Sequence, residues 1–169
     1  YMFLALPIVL VLGRDTRGFV ASASEIQWGL TAFVFGLGHL GLLLNRGVAP
    51  EAPAVDGRTL LLFVVFVTEM SDVLQYVWGK LLGRRRILPA VSPNKTWGGF
   101  LGGIATTVLV ALAVRFLTPF TVPETAGVAL LVTVAGFCGG AVMSAVKRDF
   151  GVKDFGTLIP GHGGMLDRV

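Results

Sequence analysis

Long apolar runs without charge constrain this chain more than anything else in it. Residues 26–45, 96–114 and 125–146 carry no formal charge and are almost wholly apolar. A helix needs roughly 20 such residues to cross a bilayer. Residues 59–79 have the same length and apolar character but include Glu69 and Asp72. Residues 1–13 form a shorter apolar stretch, read as the tail of a span whose beginning is missing. The expectation is an all-α polytopic transmembrane bundle of about five spans, the first truncated, forming one domain over residues 1–169. Composition agrees, because 14% charged residues is well below the roughly 25% of a soluble domain. Both ends of the chain read as cuts in a longer protein. The first 12 residues lack the basic start and cleavage site of a signal peptide.

The loops give an orientation. Lys80, Arg84, Arg85, Arg86 and Lys95 fall between residues 79 and 98, with no acid among them. Lys147, Arg148, Lys153 and Arg168 follow the last span, and Arg14 and Arg17 follow the first. The intervening loops are balanced or acidic: Arg46 and Arg58 face Glu51 and Asp56, and the loop at 118–125 carries Glu124. Basic and non-basic loops therefore alternate, and the positive-inside rule puts the basic ones in the cytoplasm. This bias accounts for the net charge of +4 without nucleic acid as a partner. Cys138 is the only cysteine, so an internal disulfide and a cysteine-based zinc site are excluded.

Three clusters could carry chemistry, and all fall on the basic side. Glu69, Asp72, Tyr76 and Lys80 line one helical face, with Gln75 beside it. A carboxylate within a span costs about 2.5–3.5 kcal/mol even on insertion scales, so it should face a cavity, a metal or a partner. An internal ion pair that only fixes packing would satisfy the same cost. The second cluster is Ser92-Pro93-Asn94-Lys95-Thr96-Trp97-Gly98-Gly99, read as a turn opening a helix. Free N–H groups at that helix start, with Lys95 and the Ser92 and Thr96 hydroxyls, suit a phosphate. A capped helix start with an orienting lysine would look the same. The third runs from Ser144 to Arg168 and combines basic groups, carboxylates, His162 and a Pro-Gly-His-Gly-Gly turn. Basic groups suit phosphates, and carboxylates suit Mg²⁺. A juxtamembrane basic segment that binds anionic lipid is the alternative.

Two glycine pairs in the fourth span, Gly98 with Gly102 and Gly99 with Gly103, and Gly136 with Gly140 in the fifth, read as close helix packing. His39 reads as a structural, internally bonded side chain. Arg115 reads as a snorkelling residue. Trp28, Trp78 and Trp97 read as membrane-interface anchors.

The third cluster resembles the signature of the phosphatidate cytidylyltransferase family at Ser144, Lys147, Arg148, Lys153, Asp154, Gly156, Pro160, His162, Gly163, Gly164, Asp167 and Arg168. The signature's last aspartate would fall just after Val169. The second cluster is similar to the family's Ser-Pro-x-Lys-Thr element, with Gly98 where a glutamate is usual. Asp72 and Tyr76 look like the family's Asp and Tyr of the preceding span, with Val73-Leu74-Gln75 in place of smaller residues. The resemblance covers residues 68–169.

It implies a membrane enzyme, commonly dimeric, that uses Mg²⁺ to make CDP-diacylglycerol and pyrophosphate from CTP and phosphatidate. In that reading Asp154, Asp167 and Asp72 hold the metal, and Asp167, Asp154 and Lys147 are the catalytic set. Ser92, Lys95, Thr96, Arg148, Lys153, His162 and Arg168 bind the substrates' phosphates, His162 in binding rather than proton transfer. The implied setting is a bacterial inner membrane with the site facing the cytoplasm. Rival readings are a CTP-dependent transferase acting on an isoprenoid or other lipid phosphate, an ion pathway through Glu69 and Asp72, and an inactive relative.

Overall fold

The computed structural model describes Ile8, residues 19–45 and residues 55–152. Helix α1 (Phe19–Gly29), a π-helical turn (Leu30–Phe35) and helix α2 (Gly36–Leu44) follow one another without a break. Helix α3 (Gly57–Leu82) leads into a hairpin of β1 (Arg86–Leu88) and β2 (Ser92–Thr96). Helix α4 (Trp97–Ala113), a short 3₁₀ turn (Arg115–Leu117) and helix α5 (Val122–Asp149) complete the order.

Three helical segments are long and apolar enough to cross a membrane: Phe19–Leu44, Gly57–Leu82 and Val122–Asp149. Helix α4 is shorter, at 17 residues. At 1.5 Å per residue it reaches about 26 Å, at the low end of what a bilayer core requires. The expected all-α membrane bundle is therefore present. The expected truncated span at 1–13 lies outside the described residues, apart from Ile8.

Local chemistry sets the helix starts. Asp56 accepts hydrogen bonds from the Arg58 and Thr59 N–H groups at 3.0 Å, and Thr59 Oγ1 accepts from the Asp56 N–H. That reciprocal box satisfies donors that helix α3 would otherwise leave open. Glu124 does the same at α5, accepting from the Thr121 N–H at 2.8 Å. Thr96 caps α4, its Oγ1 accepting from the Gly99 N–H at 3.2 Å.

Helices α3, α4 and α5 pack on one another. Apart from Gly57 at the α3 start, their buried residues fall at fourth positions: Phe63, Val67 and Ser71 on α3; Gly99, Gly103, Thr107 and Ala111 on α4; Thr125, Ala129, Thr133 and Phe137 on α5. Most are small, so the backbones approach closely. The hydroxyls of Thr125 and Thr133 turn back to carbonyls four residues earlier, at 2.9 and 2.7 Å, and so cost little in an apolar seam. The seam between α3 and α4 is the tightest. A Cβ at Gly99 would meet the Gln75 carbonyl oxygen at 2.6 Å, and one at Gly102 the Trp78 ring at 2.7 Å. The packing role expected for these glycines holds. Gly98 belongs to the same seam, since a Cβ there would sit 2.5 Å from the Leu82 carbonyl oxygen.

The rod from Phe19 to Leu44 buries no residue. It meets the bundle where Gly57 tucks under the Leu43 and Leu44 carbonyls. Its His39 Nδ1 lies 2.8 Å from the Phe35 carbonyl oxygen, the internally bonded role expected of it.

One expectation needs correction. Pro93 and Asn94 are not in a turn but in strand β2, and the turn lies at 89–91. A proline is tolerated there because a two-stranded ribbon leaves half its N–H groups unpaired. Trp78, expected as a membrane-interface anchor, makes an interhelical bond. Its Nε1 donates to Thr106 Oγ1 at 3.2 Å, between helices.

Candidate functional site

The hairpin is what builds the site. After α3 ends, β1 carries the chain away and β2 brings it back antiparallel, pairing Arg86 with Thr96 and Leu88 with Ser92. The Trp97 N–H closes the pair on the Arg85 carbonyl at 3.0 Å. Thr96 must then cap α4, and Lys95, just before it, points back into the bundle.

Lys95 Nζ donates to the Phe137 carbonyl oxygen on α5 at 3.1 Å and stands 4.3 Å from the centre of the Phe137 ring. A helical carbonyl is usually screened by the side chains one turn on. Here that position is Gly140, where an added Cβ would lie 3.1 Å from the ammonium. The expectation that Gly136 and Gly140 pack against another helix is thus replaced at Gly140 by a lysine seat. Gly136 does face α3, with a Cβ position 4.0 Å from Ser71 Oγ. Burial pulls the Lys95 pKa below its usual 10.5, with the Asp72 carboxylate opposing that shift.

Around this lysine lies a polar pocket of about 200 Å³, lined by Asp72, Gln75, Tyr76, Asn94, Lys95 and Thr96, with Gly99, Phe100 and Phe137. Asp72 is exposed at its edge. The structure therefore brings Asp72, Lys95 and Thr96 together from three separate stretches of sequence. Thr96 is buried, and its oxygen is already engaged as the α4 cap.

Other expected residues stand apart. Ser92 lies at the far end of β2 and does not line the pocket. Glu69 is exposed on α3 and also lies outside it. Lys80 packs instead over the Tyr76 ring, 4.8 Å from its centre. The expected charged face thus divides, Asp72 and Tyr76 going to the pocket and Glu69 to the flank. Lys147 and Arg148 occupy the last turn of α5, at the same end of the bundle as the hairpin, and Arg148 Nη1 donates to the Val152 carbonyl at 3.3 Å. Lys153, Asp154, His162, Asp167 and Arg168 lie outside the described residues.

Phe137, Phe100 and Gln75 were not among the expected site residues. Phe137 and Phe100 sit in apolar runs and carry no polar signal. Gln75 was visible as the one amide beside the Asp72 face. Among the described residues no three of His, Cys, Asp and Glu converge on a metal-sized site. Among the described residues Asp72 is the one carboxylate lining the pocket, a hard-oxygen donor of the kind Mg²⁺ takes.

Comparison with known proteins gives the family. A model of the cytidylyltransferase family matches residues 1–169. The chain belongs to that family. It is 45% identical over 168 residues to the uncharacterized protein YnbB of Escherichia coli (strain K12), covering 99% of this chain and 55% of the relative. It is 39% identical over 179 residues to a phosphatidate cytidylyltransferase of Brucella abortus, covering 96% of this chain and 64% of that protein. A phosphatidate cytidylyltransferase of Staphylococcus aureus is 38% identical over 115 residues, 67% of this chain and 44% of the relative. The chain thus spans about half the length of the curated relatives it matches.

Proposed function

We propose that the full-length protein transfers a cytidylyl group from CTP to phosphatidate, giving CDP-diacylglycerol and pyrophosphate. The observation that carries this reading is the half-buried Lys95 ammonium, held in a polar pocket beside Asp72. In a chain of this family and membrane character, such a pocket suits the phosphates of a nucleotide and a lipid headgroup.

In the proposed reaction a phosphate oxygen of the lipid attacks the α-phosphorus of CTP. The new P–O bond forms as the bond to the β-phosphate oxygen breaks, and pyrophosphate leaves. A phosphate monoester is ionised near neutral pH, so the site needs positioning and charge stabilisation more than a base. Lys95 offsets negative charge on the phosphate nearest the pocket. Lys147, Arg148 and Lys153 clamp the remaining phosphates, with His162 and Arg168 as further hydrogen-bond donors. The Thr96 oxygen holds the α4 start in place under Lys95.

Asp72 fits a divalent cation, with Asp154 and Asp167 as its proposed companions. Bound Mg²⁺ would neutralise the triphosphate and stabilise the departing pyrophosphate. The proposed setting is a bacterial inner membrane, with the hairpin and the end of α5 in the cytoplasm.

The test uses the full-length protein in membranes with labelled CTP, phosphatidate and Mg²⁺. Label should enter the lipid fraction only when all three are present, and Asp167→Asn and Lys95→Met should abolish most of it. Incorporation with a polyprenyl phosphate but not phosphatidate would keep the chemistry and change the acceptor. A well-folded protein inert towards every lipid phosphate would overturn the reading in favour of an inactive relative.

A further inference from the structure

Gln75 stands out once the pocket is assigned. Gln75 is one of the residues lining the pocket, and its Nε2 is shut away from solvent with no hydrogen-bond partner among the described residues. Buried amide donors are almost always paired, and an orphan within a membrane span is costlier still. The side chain is also held in place. A Cβ at Gly103 would meet Gln75 Cγ and lie 3.0 Å from its Cα, so α4 closes over the stem. The donor is thus held in place and unpaired among the described residues.

The neighbouring chemistry indicates what it awaits. Lys95 is a second donor in the same pocket, and Asn94 supplies a second amide. Phosphate oxygens accept hydrogen bonds and donate none when fully ionised. The pocket's 200 Å³ is below the roughly 300–1,000 Å³ of sites that enclose whole ligands, so it takes one part of a substrate.

We propose that Gln75 is a further substrate-binding residue whose carboxamide N–H donates to a phosphate oxygen seated beside Lys95. The inference rests on the reading of this pocket as the place where the reacting phosphates sit. The phosphate belongs either to CTP or to the lipid headgroup.

Kinetics of the full-length enzyme in membranes separate these sources. Gln75→Leu keeps the volume and removes the donor. It should raise KM for one phosphate substrate about tenfold, with kcat little changed and Tm not lowered. That change corresponds to ~1.4 kcal/mol, near the lower end for a hydrogen bond to a charged acceptor. A higher KM for CTP with weaker inhibition by inorganic pyrophosphate assigns the contact to the nucleotide's phosphates. A higher KM for phosphatidate assigns it to the headgroup. Gln75→Glu, which replaces the donor by a negative acceptor, should raise the same KM further.

Wild-type KM values for both substrates in Gln75→Leu would overturn the inference. So would a CTP effect that leaves pyrophosphate inhibition intact, which points to the base. A fall in Tm without a KM change, or failure of both variants to fold, makes Gln75 a packing residue instead. Lys95→Met run alongside keeps the two ideas apart. Wild-type kinetics in Lys95→Met would sink the reading of the pocket, whereas an impaired Lys95→Met with a normal Gln75→Leu sinks only the role of Gln75.

Discussion

At the scale of single residues, Lys95 joins the most structure to the most proposed chemistry. One ammonium bridges a hairpin, an α5 carbonyl and an aromatic face. Its burial has consequences of definite sign. A lysine whose folded pKa lies below 10.5 loses its proton earlier in the folded state than in the unfolded one. The unfolded chain then binds more protons between the two values, so this group's contribution to stability rises with pH across that window. Lys95→Met should flatten that rise in a Tm-against-pH series. Activity should move the opposite way. The charged form binds phosphate, so kcat/KM should fall at alkaline pH with a midpoint below 10.5, and Lys95→Arg should push that limb out of range. Loss of the ammonium in Lys95→Met should cost roughly 10²–10³ in kcat, the scale of one transition-state donor. Gly140→Ala offers a finer probe. Its methyl would crowd the ammonium at 3.1 Å, so activity should drop while thermal stability holds.

At the scale of elements, the α3–α4 seam is set by absent side chains. Gly99 and Gly102 face backbone and ring atoms at distances no real Cβ tolerates. Gly99→Ala should therefore destabilise the protein by about 1–3 kcal/mol, read as a lower Tm in detergent. Gly127 on α5 meets nothing within 4 Å. Gly127→Ala should be neutral or stabilise by up to ~1 kcal/mol, since alanine is the better helix former. The contrast tests the seam rather than glycine in general. The α3 start depends on Asp56, whose carboxyl is held below its usual range chiefly by the Thr59 N–H. A carboxyl with a lowered folded pKa gives stability that is present above its unfolded value and lost as pH falls through the folded one. Asp56→Ala should remove that acid-sensitive part of the unfolding curve.

At the scale of the whole molecule, antiparallel helices place the hairpin and the end of α5 at one end, and the 3₁₀ turn after α4 at the other. If the basic loops are cytoplasmic, a cysteine at Ala90 should react with an impermeant thiol reagent only from that side. One at Phe120 should react only from the opposite side. Both are best made with Cys138 replaced by alanine, because that thiol is exposed. Labelling of both from one side would contradict the bundle's topology.

Span length and absence of charge determined the membrane class and the helical runs, because a bilayer admits few other solutions for uncharged stretches. The Asp72 face and the Lys95 element were legible for a related reason, since polar groups there stand out against their surroundings. What the tertiary structure decided was partnership. Pro93-Asn94 read locally as a turn, but cross-strand pairing with residues 86–88 made it a strand. Glu69 and Asp72 share a helical face, yet only Asp72 meets the hairpin, because the pocket is shorter than the stripe. Phe137 gave no signal at all. Its carbonyl matters only because Gly140 leaves it open and a strand from elsewhere in the chain delivers an ammonium to it. Periodicity shows which residues share a face. Which of them meet depends on contacts between segments far apart in sequence, and those exist only after the helices pack.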